Sequence, residues 1–193
     1  MTARTLKSGR VYRTRELKRY GQNPTRLAAR LVETGELRRL QKGLYYKPRR
    51  SIFGEVPPSE DELLRAYFGR QPYLRTGPSV WNALGLGSTA VEAVPLVYNK
   101  KRSGVVELAD RWFEFRRVRF PARAPVEYFI VDLLENAQRA GLEQESARRA
   151  LAAALRNGSF DRDRLRAMAS GYGTLATQRF VAHALADCED SHL

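Results

Sequence analysis

The sequence has one cysteine, Cys188, so it can form no intrachain disulfide and no cysteine-rich zinc site. It has two histidines, His183 and His192, and neither has a ligand partner at useful spacing. The motifs H-E-x-x-H, G-x-S-x-G and the P-loop are absent. Asp110, Asp132 and Glu135 are single carboxylates in positions that suit structure. Asp132 falls within an apolar helical stripe, where a buried acid needs a partner; Arg139 or another guanidinium is the expected one. No catalytic residue, metal or cofactor is expected, and the chain does not read as an enzyme. No stretch approaches the roughly 20 apolar residues of a membrane span. No apolar segment stands near Met1, as a signal peptide would require. A reduced, cytoplasmic protein with no membrane partner is the expectation. Arginine outnumbers lysine and alanine is frequent, a composition that hints at a GC-rich bacterial source.

Acidic residues are scarce in one place. Residues 1–50 hold fifteen Lys/Arg and three Asp/Glu, a net +12, whereas residues 51–193 hold nineteen and eighteen, a net +1. Nearly all of the formal +13 therefore sits on the first quarter of the chain. That concentration points to nucleic acid more strongly than a basic average would.

The same quarter carries a motif. Residues 10–47 read as a helix, a tight turn, a second helix and a β-hairpin, together a winged helix-turn-helix. The second helix has clear limits: Asn23 to cap it, Pro24 at its first position and Gly35 to end it. Leu27, Ala28, Leu31 and Val32 recur at helical spacing as a buried stripe. The opposite face carries Thr25, Arg26, Ala29, Arg30 and Glu33, which suits a helix presenting its N-terminal end to base edges. The first helix spans about Thr14 to Tyr20, with Leu17 and Tyr20 packing on the second and Gly21 turning the chain. Leu37–Leu40 and Leu44–Lys47 flank a Gln41-Lys42-Gly43 turn, a hairpin with a basic tip that suits a wing along phosphates. Upstream, Thr2 to Ser8 leaves room only for a short helix; alternatively Met1 to Lys7 is an arm on the DNA backbone.

The chain divides at 1–50, the motif; 51–58, a docked linker; and 59–193, a C-terminal α+β domain. Ser59-Glu60-Asp61-Glu62 is a capping box, and its acids complement a helix dipole. Pro78 to Leu84 is a short helix. Gly85 to Ala90 matches G-x-G-x-x-A in spelling but follows a helix and reads as a loop. Strands are expected at 93–98, 105–108 and 112–120, the last with a bulge at Arg116-Arg117 to keep its apolar residues on one face. Arg116 to Arg119 is a solvated sheet face or a second nucleic-acid contact. Four apolar stripes follow, built on Val126–Ala137, Ala147–Leu155, Leu165/Met168 with Asp161 as cap, and Leu175–Leu185. The fold class is α+β: a winged helix-turn-helix, then helices packed on a small antiparallel sheet.

RELKRYGQNPTRLAARLVETGELRRLQKGLYY, DELLRAYF, TGPSVWNALGL, PLVYN and EYFIVDLLENA together resemble the AbiEi-type antitoxins of bacterial type IV toxin–antitoxin systems. The GLYY ending of the wing and TGPSVWNALGL are the more specific parts. The resemblance implies a winged helix that represses its own operon, with a C-terminal domain that counteracts a nucleotidyltransferase-like toxin without a stable complex. Direct toxin binding, or a solitary regulator with no toxin, are the alternatives. From the faces and the charge, the expected contacts to double-stranded operator DNA are Gln22, Asn23, Thr25, Arg26 and Arg30 at bases or nearby phosphates. Arg13, Thr14, Arg15 and Lys18 are expected on the backbone, and Arg38, Arg39, Lys42, Tyr46 and Lys47 in the wing. No heptad or clean apolar stripe indicates an oligomeric state.

Overall fold

A computed structural model describes residues 5–190. Residues 1–4, part of the expected N-terminal helix or arm, and His192 lie outside the described residues, and residues 5–8 form no helix. The described residues form seven α-helices, one 3-10 helix and three small sheets, a mixed α+β protein. The chain forms two compact units, Met1–Gln71 with Val106–Trp112, and Pro72–Val105 with Phe113–Leu193.

The first unit opens with β1 (Val11–Arg13), which runs into a 3-10 helix, Thr14–Arg19. Six residues between a strand and Gly21 are too few for a stable α-helix, and the tighter winding is common in such pieces. The Glu16 carboxylate accepts from the Arg13 N–H at 2.8 Å and secures its start. The helix α1 follows (Pro24–Glu33), with the Asn23 side chain accepting from the Arg26 N–H at 3.0 Å. Gly35 leaves it at φ 71°, a conformation that costs most residues a clash at Cβ. Ala28 and Leu31 are buried against Tyr12, Leu17 and Leu37, with Leu27 and Val32 half-buried at the margin. Strands β2 (Arg38–Gln41) and β3 (Leu44–Tyr46) form the hairpin, and β3 lies between β1 and β2.

Residues 51–58 are not a plain linker. β4 (Arg49–Ser51) and β5 (Gly54–Val56) pair as a second hairpin. Nor does the first unit end there: α2 (Glu60–Phe68) belongs to it. Ser59 caps α2, accepting from the Glu62 N–H at 3.2 Å. The Glu62 carboxylate accepts from the Val11 N–H (3.1 Å), while Arg65 donates to the Val11 carbonyl (2.7 Å) and to Glu62 (2.8 Å). One helix thus satisfies both backbone groups of a strand residue far away in sequence, which is why the boundary falls later than composition suggests.

In the second unit, β6 (Tyr73–Thr76) pairs antiparallel with β7 (Leu96–Asn99), and α3 (Pro78–Ala83) lies between them in sequence. β8 (Gly104–Leu108) and β9 (Arg111–Arg117) form a hairpin whose tip, Val106–Trp112, is counted with the first unit, and β9 pairs parallel with β7. The sheet is therefore mixed, not antiparallel. β9 also needs no bulge: Phe113 and Phe115 are buried in strict alternation, and the strand ends before Val118. Helices α4 (Val126–Glu135), α5 (Gln144–Arg156), α6 (Arg162–Tyr172) and α7 (Leu175–Asp190) follow. α5 packs on α7, and α6 on both α4 and α7. Asp161 caps α6, accepting from the Arg164 N–H at 2.8 Å. Trp81, Tyr98, Ile130, Leu133, Leu151, Leu165 and Val181 fill the core. Val126 and Leu175 fall outside it and stay exposed.

Asp132 is buried, but its partners are not guanidinium groups. It accepts from Trp81 Nε1 (2.7 Å), the Tyr98 hydroxyl (2.6 Å), the Thr76 hydroxyl and, at 3.3 Å, Asn136 Nδ2. Arg139 instead meets Glu114 at 2.7 Å, beside Arg116. Burial pushes the Asp132 carboxyl up from its ordinary range, against the pull of Thr76, Tyr98 and Trp81. The same burial, with the Asp132 charge beside it, raises Tyr98.

Candidate nucleic-acid interface

The outward face of α1 is built by the burial of its inward face. With Ala28 and Leu31 locked inside, the helical period leaves Thr25, Arg26, Ala29 and Arg30 exposed. Gln22, Arg26, Ala29, Arg30 and Glu33 line a cleft of about 570 Å³ beside Tyr20 and Gly21. Ala29 offers no bulk between the two arginines, so a rigid surface can approach the helix closely. The first-turn N–H groups add positive potential, although Asn23 spends its side-chain oxygen on the Arg26 N–H. Neither arginine is ion-paired among the described residues.

The remaining expected contacts separate into two groups. Thr14 donates its N–H to the Gly43 carbonyl at 3.1 Å, which places the start of the 3-10 helix against the turn between β2 and β3. Lys42, at that turn, and Arg39 are exposed. Arg15 and Lys18 are exposed on the 3-10 helix. Other residues are committed elsewhere. Arg13 is half-buried and donates through Nε to the Ala66 carbonyl of α2, and burial with the neighbouring Arg15 charge lowers its pKa. Arg38 lies 3.8 Å from Glu55, and Lys47 3.3 Å from Glu36. Both pairs are at the surface and cheap to open.

Tyr46 is the clear correction. It is 1% exposed, and its hydroxyl donates to the Val56 carbonyl at 2.6 Å. It is a core residue that ties β3 to the second hairpin, and it cannot face a ligand. Other basic residues join the surface of this unit without having been expected there. Arg49 and Arg50 are exposed on β4, and Arg19 and Arg70 line a cleft of about 510 Å³ with Arg13 and Arg15. Charge alone marked Arg49 and Arg50. Arg70 became relevant only once α2 joined this unit.

Among the described residues, no group of three or more His, Cys, Asp or Glu could hold a metal ion. No described helix is long and apolar enough to cross a membrane. No protein-family model and no curated protein sequence matches the chain. Among solved structures, the RV2827C protein from Mycobacterium tuberculosis matches with a TM-score of 0.53 at 14% identity, over 93% of this chain and 76% of that one. At that identity the likeness is one of fold.

Proposed function

We propose that residues 10–47 are a winged helix-turn-helix and that the chain is a sequence-specific, double-stranded-DNA-binding repressor. The observation that carries this is the outward face of α1, where Arg26 and Arg30 stand exposed, free of ion pairs among the described residues and separated by an alanine, on a unit that holds most of the net charge. In this reading Arg26, Arg30, Thr25 and Gln22 meet base edges or adjacent phosphates. Arg15, Lys18 and Thr14 hold the backbone, and Arg39, Lys42 and, after opening its surface pair, Arg38 anchor the wing. Phosphate contacts supply affinity and register, and the α1 contacts supply sequence preference. The AbiEi-type resemblance extends the proposal: the operator lies in the chain's own promoter, and the regulated neighbour is a nucleotidyltransferase-like toxin that is counteracted without a stable complex.

Fluorescence anisotropy on the chain's upstream DNA, across a salt series, tests the first part. With about six phosphates neutralised, log affinity falls against log salt with a slope near −5. Arg26→Ala costs about 1–3 kcal/mol and relaxes preference at one base position. Equal binding by R26A and wild type would remove Arg26 from the interface, and salt-independent binding would remove the phosphate contacts. Co-expression with the neighbouring gene tests the second part. Rescue of growth with no co-purification is expected, and a stable stoichiometric complex would contradict it.

A further inference from the structure

The two most exposed large apolar side chains sit side by side at one turn. Ile52 is 93% and Phe53 94% exposed. They are the whole connection of the second hairpin, since Ser51 opposite Gly54 is the last pair of β4 and β5. The turn is tied: the Ser51 hydroxyl donates to the Gly54 carbonyl (3.0 Å) and accepts from the Phe53 N–H (3.2 Å). Two-residue hairpin turns favour Gly, Asn and Asp. Here Gly54, at φ 109°, takes the left-handed position, so the turn makes no demand for Ile52 or Phe53, and neither gains packing. Turn chemistry does not account for them, and neither does the core.

The stem under this tip is cationic. Arg49 and Arg50 are exposed on β4, and the one acid of the hairpin, Glu55, is within 3.8 Å of Arg38. The base is anchored to the wing sheet by the Tyr46 hydroxyl on the Val56 carbonyl. An apolar point on a basic stem fits a polyanion whose interior is apolar. A second copy of this chain would set Arg49 and Arg50 against like charge. DNA offers phosphates to the stem and, at a loosened step, base faces to the tip. Apolar wedges of this kind enter between base steps from the minor groove.

We infer that Ile52 and Phe53 are a wedge that enters the minor groove and partly unstacks one base step, with Arg49 and Arg50 on the flanking phosphates. The inference rests on the DNA-binding reading above, and its test separates the two. Flexible pyrimidine–purine steps are the expected points of entry.

The probe is a mixed-sequence duplex with 2-aminopurine at TA and CA steps, titrated with the full chain. Wild type raises the fluorescence at saturation. Ile52→Ser with Phe53→Ser abolishes that rise and weakens binding about tenfold, equivalent to about 1.4 kcal/mol. The salt slope is unchanged in that variant, because the tip carries no charge. Arg49→Ala with Arg50→Ala lowers the slope by about 2. Thermal melting of both variants matches wild type, because the changed side chains are exposed. Salt-dependent binding by wild type with no fluorescence rise overturns the wedge and leaves the DNA reading standing. So does a rise that survives in the serine variant. A serine variant that instead converts a dimer to a monomer in sedimentation, with the rise intact, gives the tip to a second copy and overturns the inference. No binding by wild type to this duplex or to upstream DNA removes both readings.

Discussion

Replacing Asp132 should divide by chemistry, with the alanine and asparagine variants far apart. Its carboxylate takes donors from Thr76, Trp81 and Tyr98, all nearly enclosed at 2%, 0% and 3% exposure. Asp132→Ala leaves three buried donors without an acceptor. Each orphan costs about 1–3 kcal/mol, and partial relaxation or entry of water brings the total to about 3–5 kcal/mol. Against a total stability of about 5–15 kcal/mol, that is near the limit of folding for the second unit. Asp132→Asn keeps most of the network. Thr76 and Trp81 both approach Oδ2, which an amide oxygen can replace. The amide nitrogen, placed at Oδ1, can donate to the Tyr98 oxygen; Asn136 Nδ2 loses its 3.3 Å contact there but keeps the Tyr98 oxygen and the residue-132 carbonyl, leaving one mismatched hydroxyl at about 1–2 kcal/mol.

The pH dependence follows from the raised carboxyl. Above the unfolded value of about 3.9, the native state holds a proton that the unfolded state has released. Native stability therefore falls as pH rises from there through the folded pKa, and then levels. Asparagine does not titrate. The penalty of D132N is thus largest near pH 4 and shrinks as pH rises. Urea unfolding of wild type, D132N and D132A at stepped pH reads all of this. A D132A variant within about 0.5 kcal/mol of wild type would refute the network, that being the ordinary scatter of surface changes. A D132N penalty that grows with pH would show that the three donors outweigh burial and hold the carboxyl ionised.

Glu62→Gln should cost on the order of 1 kcal/mol or less, because the half-buried pair with Arg65 is still partly screened by solvent and the amide oxygen can still accept from the Val11 N–H. Burial alone would raise Glu62, but Arg65 and the Val11 N–H more than offset it, so the contribution is present above the unfolded value and lost as acid titrates through the lowered folded one; a pH series of melts on E62Q checks both. Gly69→Ala should destabilise by about 1 kcal/mol, since Gly69 lies at φ 65° and a methyl would sit 2.6 Å from Arg15 Nη2; chemical denaturation showing no loss would contradict that geometry. Tyr46→Phe should lose about 0.5–1.5 kcal/mol with the bond to Val56, yet leave DNA affinity unchanged; weaker binding at full stability would return Tyr46 to the interface.

What could be read in advance was local. Asn23, Pro24 and Gly35 delimit α1 within a turn of each end, and the stripe between them fixes which face is inside. The placement of Arg26 and Arg30 outside is a corollary of that stripe. What failed depends on distant partners. Glu62 and Arg65 reach Val11 across 51 and 54 positions, so α2 looked like the start of a second domain. Of the donors to Asp132, only Asn136 stands at a helical spacing; Thr76, Trp81 and Tyr98 come from 34 to 56 positions away, and no spacing rule connects them. β6 is four residues with no clean alternation, and only its pairing with β7 defines it. Three successive strands suggested an antiparallel meander, but β9 inserts next to β7 and makes that pair parallel. Tyr46 is different: alternation along Leu44-Tyr45-Tyr46 already puts it on the buried side with Leu44, and that signal was sufficient.

The first unit is discontinuous, taking in Val106–Trp112 after a stretch of more than thirty residues that belongs elsewhere. One residue of the returning segment, Leu108, is 1% exposed. On a ribosome, residues up to Gln71 can begin to pack while the rest is still being made, but the unit is complete only after Trp112 emerges. A fragment cut at residue 71 would lack Leu108 and the rest of that segment, and one cut at residue 50 would also strip both partners from Val11.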